Sequence, residues 1–132
     1  MQPTGAPRFR FERIDACNRA REFNRQVYAL TRAFPKEEAF GLTLQIRRSV
    51  VSISSNIAEG AGRNSDVDFA HFLEIAYGSL METVSQCFLA MDEGYISSED
   101  FEKLANDADR LAGQIVCLSK SLGRNARIKT TD

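Results

Sequence analysis

The sequence predicts an all-α fold, an up-down-up-down antiparallel four-helix bundle, and three observations lead there. Apolar residues recur at three- and four-residue steps along most of the 132 residues, which is the mark of amphipathic helices. No stretch alternates apolar and polar residues over a strand's length, and no Asn-Gly or Asp-Gly pair marks a hairpin. Only short connections, near residues 34–41, 60–65 and 94–98, separate the periodic segments, so consecutive helices turn back on one another.

The first helix is expected over about Arg13 to Ala33, with Ile14, Cys17, Phe23 or Asn24, Val27, Tyr28 and Leu30 on an apolar line that Arg21 interrupts. Pro35 ends it, because the residue before proline is pushed out of the helical region. Pro35-Lys-Glu-Glu opens a short turn into the second helix, Leu42 to about Glu59, which Gly60 and Gly62 terminate in the left-handed conformation common at helix ends. Ser65 caps the third helix, and Asp66 and Asp68 complement the positive end of its dipole. Phe69, Phe72, Leu73, Ala76, Leu80, Val84, Phe88 and Met91 form its apolar row, and Gly94 closes it. Ser97 or Ser98 caps the fourth. There Phe101, Leu104, Ala108, Leu111, Ile115, Leu118 and Leu122 alternate steps of three and four until Gly123, the seam of left-handed helix packing. The domain expectation is a flexible segment at 1–11, a bundle at 12–123 and a polar tail at 124–132.

The second helix is unusual in having two faces to bury. Leu42, Ile46, Val50, Ile53, Ile57 and Ala61 form one stripe, and Leu44, Val51, Ser54 and Ala58 a semi-apolar one roughly opposite. A narrow polar line of Gln45, Arg48, Ser49, Ser52, Asn56, Glu59 and Arg63 runs between them. Such a helix touches two layers, which points to an assembly protein with one face inside the subunit and the other on a partner. Glu82 of the third helix follows Gly78 and Ser79, small residues that admit a second backbone. Gln45, Arg48, Ser52, Asn56, Glu59, Arg63 and Glu82 are therefore the expected polar network of an interface.

Composition adds bounds. The 43% hydrophobic and 27% charged residues suit a globular domain, and no apolar run approaches the ~18 residues that span a bilayer. The opening MQPTGAPRFR lacks the apolar core of a secretory signal. Cys17, Cys87 and Cys117 are odd in number and widely spaced, so reduced thiols in a cytoplasm are expected. The net charge of −1 conceals balances of +5 over 1–36, 0 over 37–64, −10 over 65–109 and +4 over 110–132. Arg8, Arg10, Arg13, Arg19, Arg25, Arg124, Arg127 and Lys129 are candidate phosphate contacts, with Phe9 and Phe11 interleaved for stacking or for packing at the bundle mouth.

Catalytic and metal-binding patterns are thin. His71 is the single histidine, and His71-Phe-Leu-Glu74 reverses the Glu-x-x-His order of di-iron bundles. No cysteine has a partner at metal-ligand spacing. Glu59-Gly-Ala-Gly-Arg63 lacks the full phosphate-loop pattern and follows no strand. No catalytic residue, cofactor or metal is assigned, and no enzymatic activity is expected.

The runs FPKEEAFGLTLQIRRSVVSISSNIAEGAGR and FAHFLEIAYGSLMET, and the Gly-Tyr-Ile-Ser before the last helix, resemble the four-helix-bundle family named after proteins encoded in 23S rRNA intervening sequences. The resemblance covers about residues 11–122 and implies a cytoplasmic bacterial protein forming a cyclic homo-oligomer, a homopentamer. The family's shared positions fall here on Pro35, Glu38, Gly41, Leu42, Gln45, Arg48, Ser52, Asn56, Ile57, Ala58, Glu59, Gly60, Arg63, Phe72, Leu73, Gly78, Ser79 and Glu82. Two departures stand out: Cys17 occupies the place of the family's usual tryptophan, and Tyr77 that of an arginine often found before Gly-Ser. The expected function is a non-enzymatic oligomeric scaffold whose partners are copies of itself and RNA or an RNA-bound protein, with no membrane. The alternative is a protein-interaction module without nucleic-acid binding, docking its partner on the acidic third and fourth helices.

Overall fold

The structure, a computed structural model, describes residues 5–131, with side chains through Gly123. After a one-turn 3-10 helix at Arg10–Arg13 come α1 (Asp15–Thr31), a second 3-10 turn (Lys36–Glu38), α2 (Leu42–Ala61), α3 (Asp66–Asp92) and α4 (Ser98–Thr131). The described residues contain no strand. Helix α1 packs on α2 and α4, α3 packs on the same two helices, and all four share one core.

The periodic residues supply that core. Ile46, Val50, Ile53 and Ile57 of α2, Phe69, Leu73 and Leu80 of α3, and Leu104, Leu111 and Ile115 of α4 are all buried. Each such side chain contributes about 1.5–3 kcal/mol when fully withdrawn from water. Six of the seven residues on the fourth helix's apolar row are buried, and Leu118 is half-buried.

The contacts fix the register. Between α2 and α3, Gly60 faces Phe69 and Phe72, Ser52 faces Ser79, and Ser49 faces Gln86. As numbers fall along one helix they rise along the other. The same opposition holds between α1 and α4, where Arg19 Nε donates to Gln114 Oε1 at 3.0 Å and Gln26 Nε2 to Asp107 Oδ2 at 2.7 Å.

Ser65 Oγ accepts from Asp68 N at 3.1 Å, as expected, and Ser97 Oγ accepts from Asp100 N at 3.1 Å, which selects Ser97 over Ser98 as the cap of α4. Gly94, at φ +80°, closes α3. Its N–H reaches Met91 O at 2.9 Å, while Tyr95 N reaches Ala90 O at 2.8 Å, the paired bonds of a Schellman end.

Three expectations about glycine need correction. Gly60 lies inside α2, and Gly62, the residue after it, has φ −87° and is not left-handed. Gly60 is instead a point of close approach, since a Cβ there would lie 2.7 Å from Phe72 Cβ and 2.9 Å from Phe69 Cδ1. Gly123 does not stop the fourth helix, which continues to Thr131; a glycine inside a helix costs only about 1 kcal/mol against alanine, too little to end it by itself. The boundary expected at residue 12 falls within the first 3-10 turn, and that expected at 123 falls within α4.

The ends of the bundle are tied by polar contacts. Glu38 Oε1 accepts from Leu42 N at 3.1 Å, standing in for an N-cap on α2, and Glu38 Oε2 accepts from Tyr95 O–H at 3.0 Å. That bond holds the Tyr95 phenol above its ordinary pKa. Buried Phe34 packs on the Tyr95 ring at 5.4 Å. Among the described residues no helix is long and apolar enough to cross a membrane.

Candidate functional site

The polar line of α2 meets α3 at its middle. Asn56 Nδ2 donates to Ser52 O at 2.8 Å and to Ser52 Oγ at 2.9 Å, and Ser52 Oγ lies 2.9 Å from Ser79 Oγ. One turn deeper, Thr83 Oγ1 is 2.8 Å from both Ser49 Oγ and Ser79 O. Ser49 Oγ lies 2.9 Å from Gln86 Oε1 and 3.0 Å from Ile46 O. Ser49 and Thr83 are buried, so these bonds satisfy hydroxyls that would otherwise be stranded between two helices.

The remaining line residues lie at the surface. Glu59 Oε1 accepts from Arg63 Nη2 at 3.1 Å, with the two side chains 57% and 45% exposed, a pair worth little by itself. The Arg63 guanidinium also lies over the Phe72 ring at 4.6 Å. Gln45, Arg48 and Glu82 are exposed. The structure thus gathers Ser52 and Asn56 around Ser79, joins Glu59 to Arg63, and leaves Arg48 and Glu82 facing outward. Thr83 and Gln86 escaped the sequence reading, although Thr83 sits on the same helical row as Leu80 and Cys87. A hydroxyl on an apolar row was the available signal.

The second stripe of α2 is largely covered by its own subunit. Leu44, Ser54 and Ala58 are half-buried, and Ser54 lines a small pocket with Arg21, Asn24 and Arg25 of α1; Val51 is exposed. The helix with more apolar surface in water is α3. Val67, Ile75, Tyr77, Met81, Phe88 and Leu89 are all exposed, Leu89 at 53%. Ile75, Ser79, Glu82, Gln86 and Leu89 succeed each other at steps of four and three on the α2 side, and Tyr77, Met81 and Phe88 run on the α4 side, where Phe88 meets Phe101 at 4.3 Å. Helix α3 thus leaves apolar side chains exposed on both flanks of its buried row.

The basic candidates divide. Arg10 Nη1 donates to Ala61 O at 3.1 Å, and its guanidinium lies 5.1 Å from the Phe69 ring centroid. It therefore serves the free carbonyls at the end of α2, where a cation also suits the helix dipole. Arg19 is bonded to Gln114 and Arg25 to Glu22. Arg8 and Arg13 are exposed and flank Glu12. The side chains of Arg124, Arg127 and Lys129 lie outside the described residues. Phe9 and Phe11 stack on each other at 5.6 Å, and Phe11 packs against the core.

Cys17 and Cys87 are buried, Cys117 is exposed, and none is paired. Burial pushes the Cys87 thiol up to about 12 and raises Cys17 as well, which makes both inert. His71 is exposed and meets Phe72 edge-on at 6.1 Å. No three His, Cys, Asp or Glu among the described residues converge on a metal position.

Four helices around one core, with a hydroxyl seam between two of them and an apolar outer surface on one, define an all-α helical-bundle protein. A family model described as 23S rRNA-intervening sequence protein matches residues 12–117. The chain belongs to that family. Its fold is similar to the crystal structure of a protein of unknown function from the S23 ribosomal protein family of Bacteroides thetaiotaomicron. The two chains are 27% identical, with a TM-score of 0.73 over 80% of this chain and 98% of that one. No curated protein matches the chain.

Proposed function

We propose that this chain is a non-enzymatic scaffold, an up-down-up-down antiparallel bundle that assembles with copies of itself through the face shared by α2 and α3. Opposed numbering across the α2–α3 and α1–α4 contacts supports the alternation. The observation that carries self-assembly is the make-up of that face. Exposed Ile75 and Leu89 lie beside the hydroxyl seam, with Arg48 and Glu82 outward at the same level, one from each helix. A pair of opposite charges between two apolar flanks is complementary to a second copy of the same surface. The family resemblance implies a ring of five. A single subunit's geometry admits any closed cyclic number.

Size-exclusion chromatography with light scattering tests the reading. The chain should elute at a multiple of its 14.8 kDa, and Arg48→Ala, Glu82→Ala and Leu89→Glu should each lower that mass. A monomer, or an unchanged mass in all three variants, overturns it. A cytoplasmic setting belongs to the same proposal and is supported by three unpaired cysteines.

Contact with RNA or an RNA-bound protein is a second reading, supported by the +5 balance of residues 1–36 and the exposure of Arg8 and Arg13. Filter binding at several salt concentrations tests it. Affinity falling steeply with salt, and weakened by Arg13→Ala, supports phosphate contacts. Binding absent at about 50 mM salt leaves a protein-interaction scaffold.

A further inference from the structure

The pocket between α1 and α2 lies apart from the assembly face. Arg21, Asn24 and Arg25 of α1 and Ser54 of α2 line it. Its volume is about 310 Å³, at the lower end of small-ligand sites, roughly 300 Å³. Positions 21, 24 and 25 fall within one turn of α1 and share a face, and Ser54 belongs to the stripe of α2 that α1 covers.

All four lining side chains can donate hydrogen bonds, and none is a carboxylate. The carboxylates of α1, Asp15 and Glu22, line a different hollow with Arg19 and Gln114 on the α4 side. Glu22 also engages Arg25 Nη2, but a guanidinium has five N–H donors and keeps others for a ligand. The one carboxylate of α2, Glu59, is joined to Arg63. Arg47, two turns before Ser54, donates to Thr31 Oγ1 at 2.9 Å and lies over the Tyr28 ring. It adds a third positive charge along the same helix boundary.

The two neutral side chains are set to donate. Ser54 Oγ makes only a 3.4 Å contact to Val51 O, long for a hydroxyl hydrogen bond. Asn24 Oδ1 is buried without a partner, which leaves the amide N–H₂ as the end that can meet a ligand. A stranded carbonyl oxygen lowers stability, and presentation of the donor end to the pocket accounts for it. Two guanidiniums, an amide and a hydroxyl around one small space suit an anion with several acceptor oxygens. A carboxylate has two oxygens in one plane, which a single guanidinium satisfies. A phosphate ester has three acceptor oxygens in a tetrahedral array, enough to engage all four side chains.

We propose that the α1–α2 pocket binds a phosphate group, with Arg21 and Arg25 on its oxygens and Asn24 and Ser54 completing the donor set. The phosphate belongs either to a free nucleotide or to an RNA strand. The strand source rests on the RNA reading above, and the pocket itself does not.

Isothermal titration calorimetry of the full chain tests this with inorganic phosphate, a ribonucleoside 5′-monophosphate, and single-stranded RNA of about ten nucleotides, all at one ionic strength. Arg21→Ala and Arg25→Ala, shown folded by circular dichroism, should each weaken binding about tenfold or more, and Ser54→Ala about threefold. Arg32→Ala removes the same charge from an exposed arginine outside the pocket and should change little. Nucleotide binding with that pattern identifies a free phosphate ester as the source, and the same pattern for RNA alone identifies the strand. No binding of any probe at about 50 mM salt, or equal losses in Arg32→Ala and Arg25→Ala, overturns the proposal. RNA binding weakened by Arg13→Ala and indifferent to both pocket arginines also overturns it and leaves the RNA reading in place. Nucleotide binding without RNA binding does the reverse.

Discussion

At the residue scale, Gly60 shows how one missing side chain sets the distance between two helices. The space that a Cβ needs there is filled by the Phe69 and Phe72 side chains. Gly60→Ala should therefore lower stability by about 1–3 kcal/mol, the usual cost of overpacking, measured as a fall in the urea midpoint. Gly113 is the counter-case, because a Cβ there meets nothing within 4 Å. Gly113→Ala should raise stability by about 0.5–1 kcal/mol through helix propensity. Equal effects at the two sites would contradict the packing account. Glu12 supplies a pH dependence. Its carboxylate accepts from Phe9 N and Arg8 N, both at 2.7 Å, and these bonds hold its pKa below the ordinary glutamate value. A depressed folded-state pKa gives stability that is present above the unfolded pKa of about 4.3 and lost as pH falls through the folded one. In an NMR titration, the Arg8 and Phe9 amides should shift together with a midpoint below about 4.3; a midpoint above it, or independent shifts, would refute the contact.

At the element scale, the α2–α3 pair is held by apolar rows and by hydroxyls set among them. Removing one partner of a buried hydrogen bond is more damaging than removing both. Thr83→Val should accordingly destabilise the chain by about 1 kcal/mol, and adding Ser49→Ala should recover part of the loss. Additive losses in a double-mutant cycle would show that the two hydroxyls act separately. Legibility follows the same division. The four helices and their caps at Ser65, Ser97 and Gly94 could be read from the chain, because local chemistry decides them. The polar line on α2 could be read as a line, but which members touch one another could not. Ser52 and Asn56 lie over Ser79, while Arg48, one turn away, faces outward, and that depends on how α3 is rotated against α2. Arg10 illustrates the same limit. In sequence it is one of several cations, and only tertiary contact places it on Ala61 O, 51 positions away. Phe88 shares its steps with buried residues on the apolar row of α3 and yet is exposed, while Val67, Ile75, Tyr77, Met81 and Leu89 lie off that row. Periodicity marks a stripe and leaves open whether this subunit or another molecule covers it.

At the scale of the whole molecule, acidic and basic residues are segregated along the chain: α3 carries carboxylates without Lys or Arg, and α4 begins acidic and turns basic from Arg110 onward. The long-range polar ties are unevenly spread. Seven residues across α2 and α3 join in one hydroxyl and amide seam, of which Ile46 contributes only its carbonyl. Between α1 and α4 run the side-chain bonds Arg19–Gln114 and Gln26–Asp107. They close loops of 95 and 81 positions. Contacts of that span are made at a higher entropic cost than those of a neighbouring hairpin. Zipping should therefore begin in the middle of the chain and end where its first helix is laid against its last. The reverse journey starts at the same place. Helix α1 should peel away while α2 and α3 stay clasped, so its amides should trade protons for deuterons sooner than theirs in native-state exchange. Uniform protection across α1, α2 and α3 would mean that the bundle opens all at once.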